Sequence, residues 1–575
     1  MIKRWSIKHP SAEQQTLITK LSHELNINTI LARLLVYRNI TNFETARKYF
    51  NPQLDDLHDP FLMKNMKKAV KRINKALGNK EKILVYGDYD VDGITAVAVV
   101  YTLLRKFTNN LEYYIPDRDT EGYGISLQGI DYAEANGISL IISLDCGIKA
   151  IRQVNYAKEK GIDFIITDHH NPSKKLPKAK AVLDPKRPDC NYPYKHLSGC
   201  GVGFKLMQAF CQSNGLDFDH ISHCLDLVAV SIASDIVPIT GENRIMAHYG
   251  LQQLSGKPRL GLRTILESAK LKEKDITISD IVFKVGPRLN ASGRICSAKE
   301  AVELLVSSDY DHARLKCAEI DEYNMTRRNL DKNITEEALN QIKTDKDLLN
   351  RKSTVLYNPN WHKGVIGIVA SRLIEQYHRP TVILTKSNGL ITGSARSVPE
   401  FDLYSAVLSC KDLLETFGGH KFAAGLSLKE ENVPEFQRRF EEYVAAHITD
   451  KQQIPTLDID AEITLDVITN KFVGILKRMR PFGPDNMKPL FITKALKDSG
   501  SSSLVGGDKE HIRLSLVDQK GNRIKAIAFN QAKKFDHIKR GGLIDLCYHI
   551  EENTFNNNTS IQLMVKDIKE SEIES

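Results

Sequence analysis

Between residues 82 and 234 four short apolar runs, KILVY, ISLIISL, DFIIT and LVAVSIAS, lack any polar–apolar alternation, and helix-like stretches such as ITAVAVVYTLLRKF and IKAIRQVNYAKEK lie between them. A strand with one wet face alternates, so continuous apolar runs read as strands buried on both faces. Such strands, joined by helical crossovers, make a mainly parallel α/β sheet. Each run ends in acid: KILVY leads into Asp88, Asp90 and Asp92 within GDYDVDG, ISLIISL into Asp145, DFIIT into Asp168, His169 and His170, and LVAVSIAS into Asp235. The carboxyl ends of parallel strands lie along one edge, which predicts that six carboxylates and two imidazoles share one crevice.

Like charges a few ångströms apart cost several kcal/mol at low dielectric, so such a cluster must hold protons or bind cations. Taken singly, an aspartate at a strand end is as well explained as a helix N-cap or a turn former. Four such ends in one domain favour cations. DYDVDG also opens like a calcium-binding EF-hand loop, but its twelfth position is Val99 rather than Glu and a strand precedes it, which excludes that reading. Mixed carboxylate and imidazole ligands suit Mn²⁺, or Mg²⁺ with weaker imidazole contacts. An aspartate shared by two ions about 3.5–4 Å apart points to phosphoester hydrolysis. Cys211, His220, His223 and Cys224 form a second cluster, but their spacing matches no zinc pattern and they border an apolar helical run, so they read as structural.

The chain of 575 residues is too long for one core. The pattern divides it into an N-terminal segment 1–58, the acid-rich α/β domain 59–308, a connecting helix 309–350, a second α/β domain 351–455 and a C-terminal β-rich module 456–575. The connecting helix is expected because no glycine or proline occurs between Gly293 and Pro359. The last ten residues, KDIKESEIES, resemble a solvated tail. No apolar run approaches the ~20 residues of a membrane span, and the start, MIKRWSIKHP, carries no apolar signal core. Nine cysteines without a CxxC pair suit a reducing compartment, so the expected location is the cytoplasm, away from membranes. A net charge of +9 permits a nucleic-acid partner without demanding one.

GDYDVDG at 87–93, SLDCG at 143–147, TDHH at 167–170 and SDIV at 234–237 resemble, in order, the four motifs of the DHH phosphoesterase family. PDRDTEGYG at 116–124, SGCGVGFK at 198–205, GPRLNASGR at 286–294, FGGHKFAAG at 417–425 and RPFGPDNMKPLF at 480–491 are similar to the RecJ branch of that family, and LARLLVYRNI extends the resemblance almost to the start. The resemblance implies a parallel-sheet DHH domain, a DHH-associated substrate domain and a C-terminal OB-fold barrel. It implies Asp90, Asp92, His169 and Asp235 as metal ligands, with Asp88 alongside them, Asp145 as the bridging ligand, Asp168 orienting both histidines and His170 facing the scissile phosphate. It also places Arg118 near a 5′-terminal phosphate, with a local ion pair to the acids beside it in PDRDTEGYG as the alternative. Tyr86 stands where the pyrophosphatase branch has a histidine, which favours the exonuclease branch.

Arg288, Asn290 and Arg294, in what reads as a Gly/Pro-rich loop, carry donors for phosphate, with surface salt bridging as the alternative. The glycines of SGCGVGFK permit a helix start to approach the crevice closely. FGGHKFAAG reads as a glycine-rich loop that, with GSARS at 393–397, offers backbone amides, His420 and Arg396 to a nucleic-acid backbone. In KFVGILKRMRPF the cations Lys471, Lys477, Arg478 and Arg480 stand without an acid, as in a basic strand-binding surface or a solvated helix face. The expectation is a 5′ to 3′ exonuclease specific for single-stranded DNA, acting in recombination and repair with two Mn²⁺ or Mg²⁺ ions, supplied with strands by a helicase and a single-strand-binding protein. The rivals are a phosphodiesterase for short oligonucleotides or cyclic dinucleotides, and a strand-binding scaffold without catalysis.

Overall fold

Three of the four apolar runs pair as parallel strands. β1 (Lys82–Gly87), β2 (Leu111–Tyr114), β3 (Ile138–Leu144), β4 (Asp163–Thr167) and β5 (Ala181–Leu183) form a wholly parallel sheet in the order β2-β1-β3-β4-β5. Alternate residues feed two different cores: Ile83, Val85, Leu140, Ile142 and Ile165 pack on one face, and Leu84, Tyr86, Ile141, Phe164 and Ile166 on the other. That is why the sequence runs are continuously apolar. β2 and β5, the LEYY and AVL segments, were too short to stand out in the sequence. The computed structural model describes residues 3–271, 275–555 and 558–571.

The fourth run is a correction. LVAVSIAS belongs to an α-helix, Leu225–Ser234, whose residues from Leu225 to Ala233 are all buried. A helix enclosed on every side has the same apolar signature as a strand enclosed on both, so periodicity could not separate them. GPRLNASGR is likewise no loop. It forms the helix Gly286–Ile295, entered through a widened π-type turn at Ile281–Val285, with Pro287 in the first turn where a missing N–H costs no hydrogen bond. The expected connecting helix is a single element, Tyr310–Thr344, of 35 residues. FGGHKFAAG is a hairpin of Leu414–His420 and Ala423–Leu428, the outer pair of a five-stranded mixed sheet that also contains Thr354–Tyr357, Thr381–Ser387 and Leu390–Arg396. A strand edge therefore replaces the expected loop.

The chain divides into two compact units, Pro52–Ile448 with Gly483–Asn486, and Met1–Asn51 with Thr449–Phe482 and Met487–Ser575. In the latter, strand Arg4–Ile7 pairs in parallel with Thr456–Ile459. Phe491–Asp498, Ser503–Val505, His511–Val517, Arg523–Ala528, Ile544–Phe555 and Asn558–Glu570 form a barrel, with Lys497 and Asp498 paired to Val517 and Leu516. The supposed tail contributes to this barrel through Glu570, which pairs with Ile544; residues 572–575 lie outside the described residues. Among the described residues no helix is long and apolar enough to cross a membrane.

The unit holding the parallel sheet also buries an ion pair, Lys205 Nζ to Glu242 at 2.6 Å, both side chains essentially inaccessible. Tyr192 Oη and the His58 amide donate to Glu242, and Lys205 donates to the His58 carbonyl and Gln208. Removing one partner would strand the other charge in a dry interior. Glu242→Ala is expected to destabilise this unit by about 3–5 kcal/mol in chemical denaturation, and a loss below about 1 kcal/mol would mean that water reaches the lysine.

Candidate active site

Asp90 sits where β1 hands the chain to the helix Val91–Leu104, and it is both cap and candidate ligand. Its Oδ1 accepts the amides of Asp92 (2.9 Å) and Gly93 (3.1 Å), which leaves its other oxygen for a second partner. Gly93 allows the turn to close, since a Cβ there would lie 2.4 Å from the Asp88 carbonyl oxygen. Asp145 follows β3 with φ of 59°, a left-handed conformation that aspartate tolerates better than bulkier residues, and its amide donates to the Thr167 carbonyl at 2.9 Å. Asp235 caps the carboxyl end of the helix Leu225–Ser234.

Asp92 is held most firmly. It accepts the Gly199 amide at 2.6 Å, the Cys200 amide at 2.7 Å and the Ser231 hydroxyl at 2.6 Å. The first two belong to the opening turn of the helix Gly199–Ser213, so a positive helix end answers this carboxylate's charge. Gly199 is required there because a Cβ would come within 2.5 Å of the Asp145 Cβ, the close approach anticipated for SGCGVGFK. Ser231 was missed in the sequence, lying inside an apolar run with no motif to mark it.

These elements bring the predicted acids together. Ligand atoms of Asp88, Asp90 and Asp145 lie within 4.8 Å of one another, as do those of Asp92, His169 and Asp235, and those of Asp145, His169 and His170. None of these groupings includes Cys211, His220, His223 or Cys224. His169 Nε2 lies 3.2 Å from Asp145, 3.5 Å from Asp235 and 3.6 Å from Asp92. Its Nδ1 is 3.0 Å from the Leu197 carbonyl, an acceptor only, so the proton sits on Nδ1 and the Nε2 lone pair faces the carboxylates. The expectation that Asp168 orients both rings is therefore corrected: it holds His170 through Nδ1 at 2.8 Å and accepts the His169, His170 and Ile148 amides, while Leu197 holds the His169 ring. Tyr86 points into the opposite core, donating to the Gly124 carbonyl at 3.0 Å.

Burial first, and then the neighbouring carboxylates, push Asp88 and Asp235 up to about 8 and Asp145 well above the ordinary carboxylate range; Asp90 is raised too. Burial lowers the His169 pKa. Burial also opposes charge on His170, but the hydrogen bond and charge of Asp168 prevail and raise its pKa. Asp168 stays low despite burial because it accepts hydrogen bonds from His170 and backbone amides. Asp88 Oδ2, Asp145 Oδ1 and His169 Nε2 are buried without any hydrogen-bond partner. Oxygen and imidazole donors left unsatisfied at one point fit divalent cations.

Among the described residues Arg118 makes no ion pair. It lies over the Tyr89 ring at 5.2 Å, while Asp119 pairs with Lys363 at 3.3 Å. Arg294, which donates to the Gly364 carbonyl at 2.9 Å, is pushed down to about 10 by burial and then by Arg118, Arg327 and Arg396. Burial and then Arg118 likewise lower Arg396. Among the described residues no acid pairs with these three guanidiniums. Arg288 instead bridges to Asp321 at 2.9 Å, the salt-bridge alternative, and Asn290 accepts the Val91 amide at 3.2 Å, bracing the aspartate turn. His420 is exposed at the hairpin end and accepts the Phe422 amide at 3.2 Å. In the other unit Arg478 lies over Phe50 at 5.3 Å, Lys477 pairs with Glu552 at 3.0 Å, and Arg480 precedes Pro481.

In the metal-free fold the raised carboxylates prefer protons. Asp88 and Asp235 titrate near 8, against ~4 unfolded. Their contribution to stability is complete below about pH 4 and is lost as pH rises through about 8. The melting temperature gained on adding Mn²⁺ in place of EDTA should therefore widen from about pH 6 to about pH 8; a gain independent of pH would remove these groups from the ion site.

Three family models match in chain order: the DHH family N-terminal domain at residues 82–232, the DHHA1 domain at 350–446 and the RecJ OB domain at 459–567. The single-stranded-DNA-specific exonuclease RecJ of Bacillus subtilis is 36% identical over 572 residues, 99% of this chain and 71% of that protein. The RecJ of Dickeya dadantii is 32% identical over 94% of this chain and 96% of its own length. The crystal structure of Thermus thermophilus RecJ in complex with Mn²⁺ superposes with a TM-score of 0.84 at 25% identity, covering 99% of this chain and 80% of that one. With its cluster of carboxylates and relatives of this identity along nearly its whole length, the chain belongs to the family of RecJ single-stranded-DNA-specific exonucleases.

Proposed function

We infer that this chain is a metal-dependent exonuclease that hydrolyses single-stranded DNA from the 5′ end, and that Asp88, Asp90, Asp92, Asp145, His169 and Asp235 would hold two Mn²⁺ or Mg²⁺ ions, Asp145 being the ligand they would share. The observation that carries the reading is the set of buried, unsatisfied donor atoms on Asp88, Asp145 and His169. When bound, the ions supply a water of lowered pKa and neutralise charge on the phosphoryl oxygens. The chain's own residues do the rest. The Gly199 and Cys200 amides and the Ser231 hydroxyl hold the Asp92 carboxylate in place. Leu197 fixes the His169 tautomer. Asp168 favours the imidazolium form of His170, a half-exposed ring that would face the phosphodiester.

Arg118, Arg294 and Arg396 take the 5′-terminal phosphate, whose two negative charges relieve the mutual repulsion of the guanidiniums. His420 adds a contact on the exposed hairpin, and Arg478 and Arg480 supply the basic face of the OB module. The working boundaries remain those of the sequence, with a DHH domain at 59–308, a DHH-associated domain at 351–455 and an OB module at 456–575. Unpaired cysteines suit the cytoplasm. A helicase and a single-strand-binding protein are the partners that would deliver strands. The idle-scaffold reading is disfavoured because every donor of the ion site is present.

A 3′-labelled single strand, with and without a 5′-phosphate, incubated beside its duplex with Mn²⁺, Mg²⁺ or EDTA tests the reading. A metal-dependent descending ladder from the single strand alone is expected, and Asp145→Ala should reduce its rate by about 10³-fold or more while strand binding persists. Arg118→Ala should lower kcat/KM by about tenfold or more on the 5′-phosphorylated strand and little on the 5′-hydroxyl strand; equal losses on both would remove the terminal-phosphate assignment.

A further inference from the structure

β5, overlooked in the sequence, carries a further strand-end acid and a lysine to the same edge. Leu183 pairs with Thr167, and the Asp168 amide donates to the Leu183 carbonyl at 2.9 Å. The turn Asp184-Pro185-Lys186 therefore runs in step beside Asp168-His169-His170. Asp184 is buried, its Oδ1 accepts the Lys186 amide at 2.7 Å, and its Oδ2 has no hydrogen-bond partner. With Pro185 between them, this side-chain-to-backbone turn fixes where Lys186 leaves the sheet.

That turn follows β5 directly, so Lys186 stands at the same sheet edge as the Asp168-His169-His170 segment that follows β4. Neighbouring cations are committed elsewhere: Arg187 to Asp189 at 2.8 Å, Lys180 to Asp163 at 3.3 Å, and Lys195 to the Cys190 carbonyl at 2.6 Å. Half-buried Lys186, by contrast, forms no ion pair and donates no side-chain hydrogen bond among the described residues. Once ions take the carboxylates, the partner left for this ammonium is an anion that arrives with the substrate. We propose that Lys186 is a substrate-contact residue, its ammonium binding a non-bridging oxygen of the phosphodiester presented to the cluster. The proposal rests on the nuclease reading above.

The test uses the full chain and its Lys186→Gln and Lys186→Arg variants, with oligothymidylate cleavage followed across a salt series at saturating Mn²⁺. Lys186→Gln should lose about 10²-fold in kcat/KM. The slope of log kcat/KM against log salt should become shallower by about 0.7, the share of one single-strand phosphate contact. Lys186→Arg should recover most of the rate, and the Mn²⁺-induced gain in melting temperature should be unchanged in both variants, which also verifies that they fold. Lys186→Gln that cuts at the wild-type rate and slope while needing a different Mn²⁺ concentration would show that the lysine only offsets carboxylate charge. That result overturns this proposal alone. A wild-type chain that leaves DNA uncut would overturn the nuclease reading and this assignment with it.

Discussion

Carboxylates crowded at one sheet edge must have their charge answered, and much of the surrounding architecture serves that need. The helix Gly199–Ser213 ends its N-terminal turn on Asp92, and the Gly199 position admits no side chain because Asp145 fills the space. Ser231 comes from a second buried helix to complete the same carboxylate's hydrogen bonds. What these groups leave unanswered, at Asp88, Asp145 and His169, is what divalent ions satisfy. The local cost of ordering the site without ions is met by two extensive cores on either face of the sheet.

Two histidines adjacent in the chain are set to opposite tasks by the groups on their far sides. A neutral carbonyl behind His169 keeps its inner nitrogen free as an electron-pair donor, whereas a buried carboxylate behind His170 favours the imidazolium. Burial differs as well: the His169 side chain is 6% exposed and that of His170 43%. One ring suits the ion site and the other suits solvent-borne phosphate. The arginines show the opposite case: among the described residues no acid pairs with Arg118, Arg294 or Arg396, and burial and then neighbouring guanidiniums lower Arg294 and Arg396.

Much of this was legible from the chain. The continuous apolar runs of β1, β3 and β4 read as doubly buried strands, and the acids that follow them converge because the strands are parallel. The same evidence misassigned LVAVSIAS, because a buried helix and a buried strand look alike without alternation, although Asp235 reached the cluster regardless. Glycine and proline suggested loops at GPRLNASGR and FGGHKFAAG. In the first, proline starts a helix; in the second, the glycines at 418, 419 and 425 lie within paired strands. The three-residue β5 left no periodic signal at all, and with it went Asp184 and Lys186.

The sequence by itself determined the class of fold, the identity of the acids and the chemistry they suit, because residue type and strand-end position fix which groups meet at a parallel edge. Only the tertiary structure decided which partner each group takes. Leu197, Ser231, Asn290 and the Gly199 amide reach the cluster across 28 to 199 positions of sequence, as a carbonyl, a hydroxyl, an amide oxygen and an N–H. Such contacts are set by packing between elements, and no local pattern records them. For the same reason Arg288 turned to Asp321 while Arg294 turned to the Gly364 carbonyl: residues of one helix face different surroundings, and the surroundings decide which partner each cation takes.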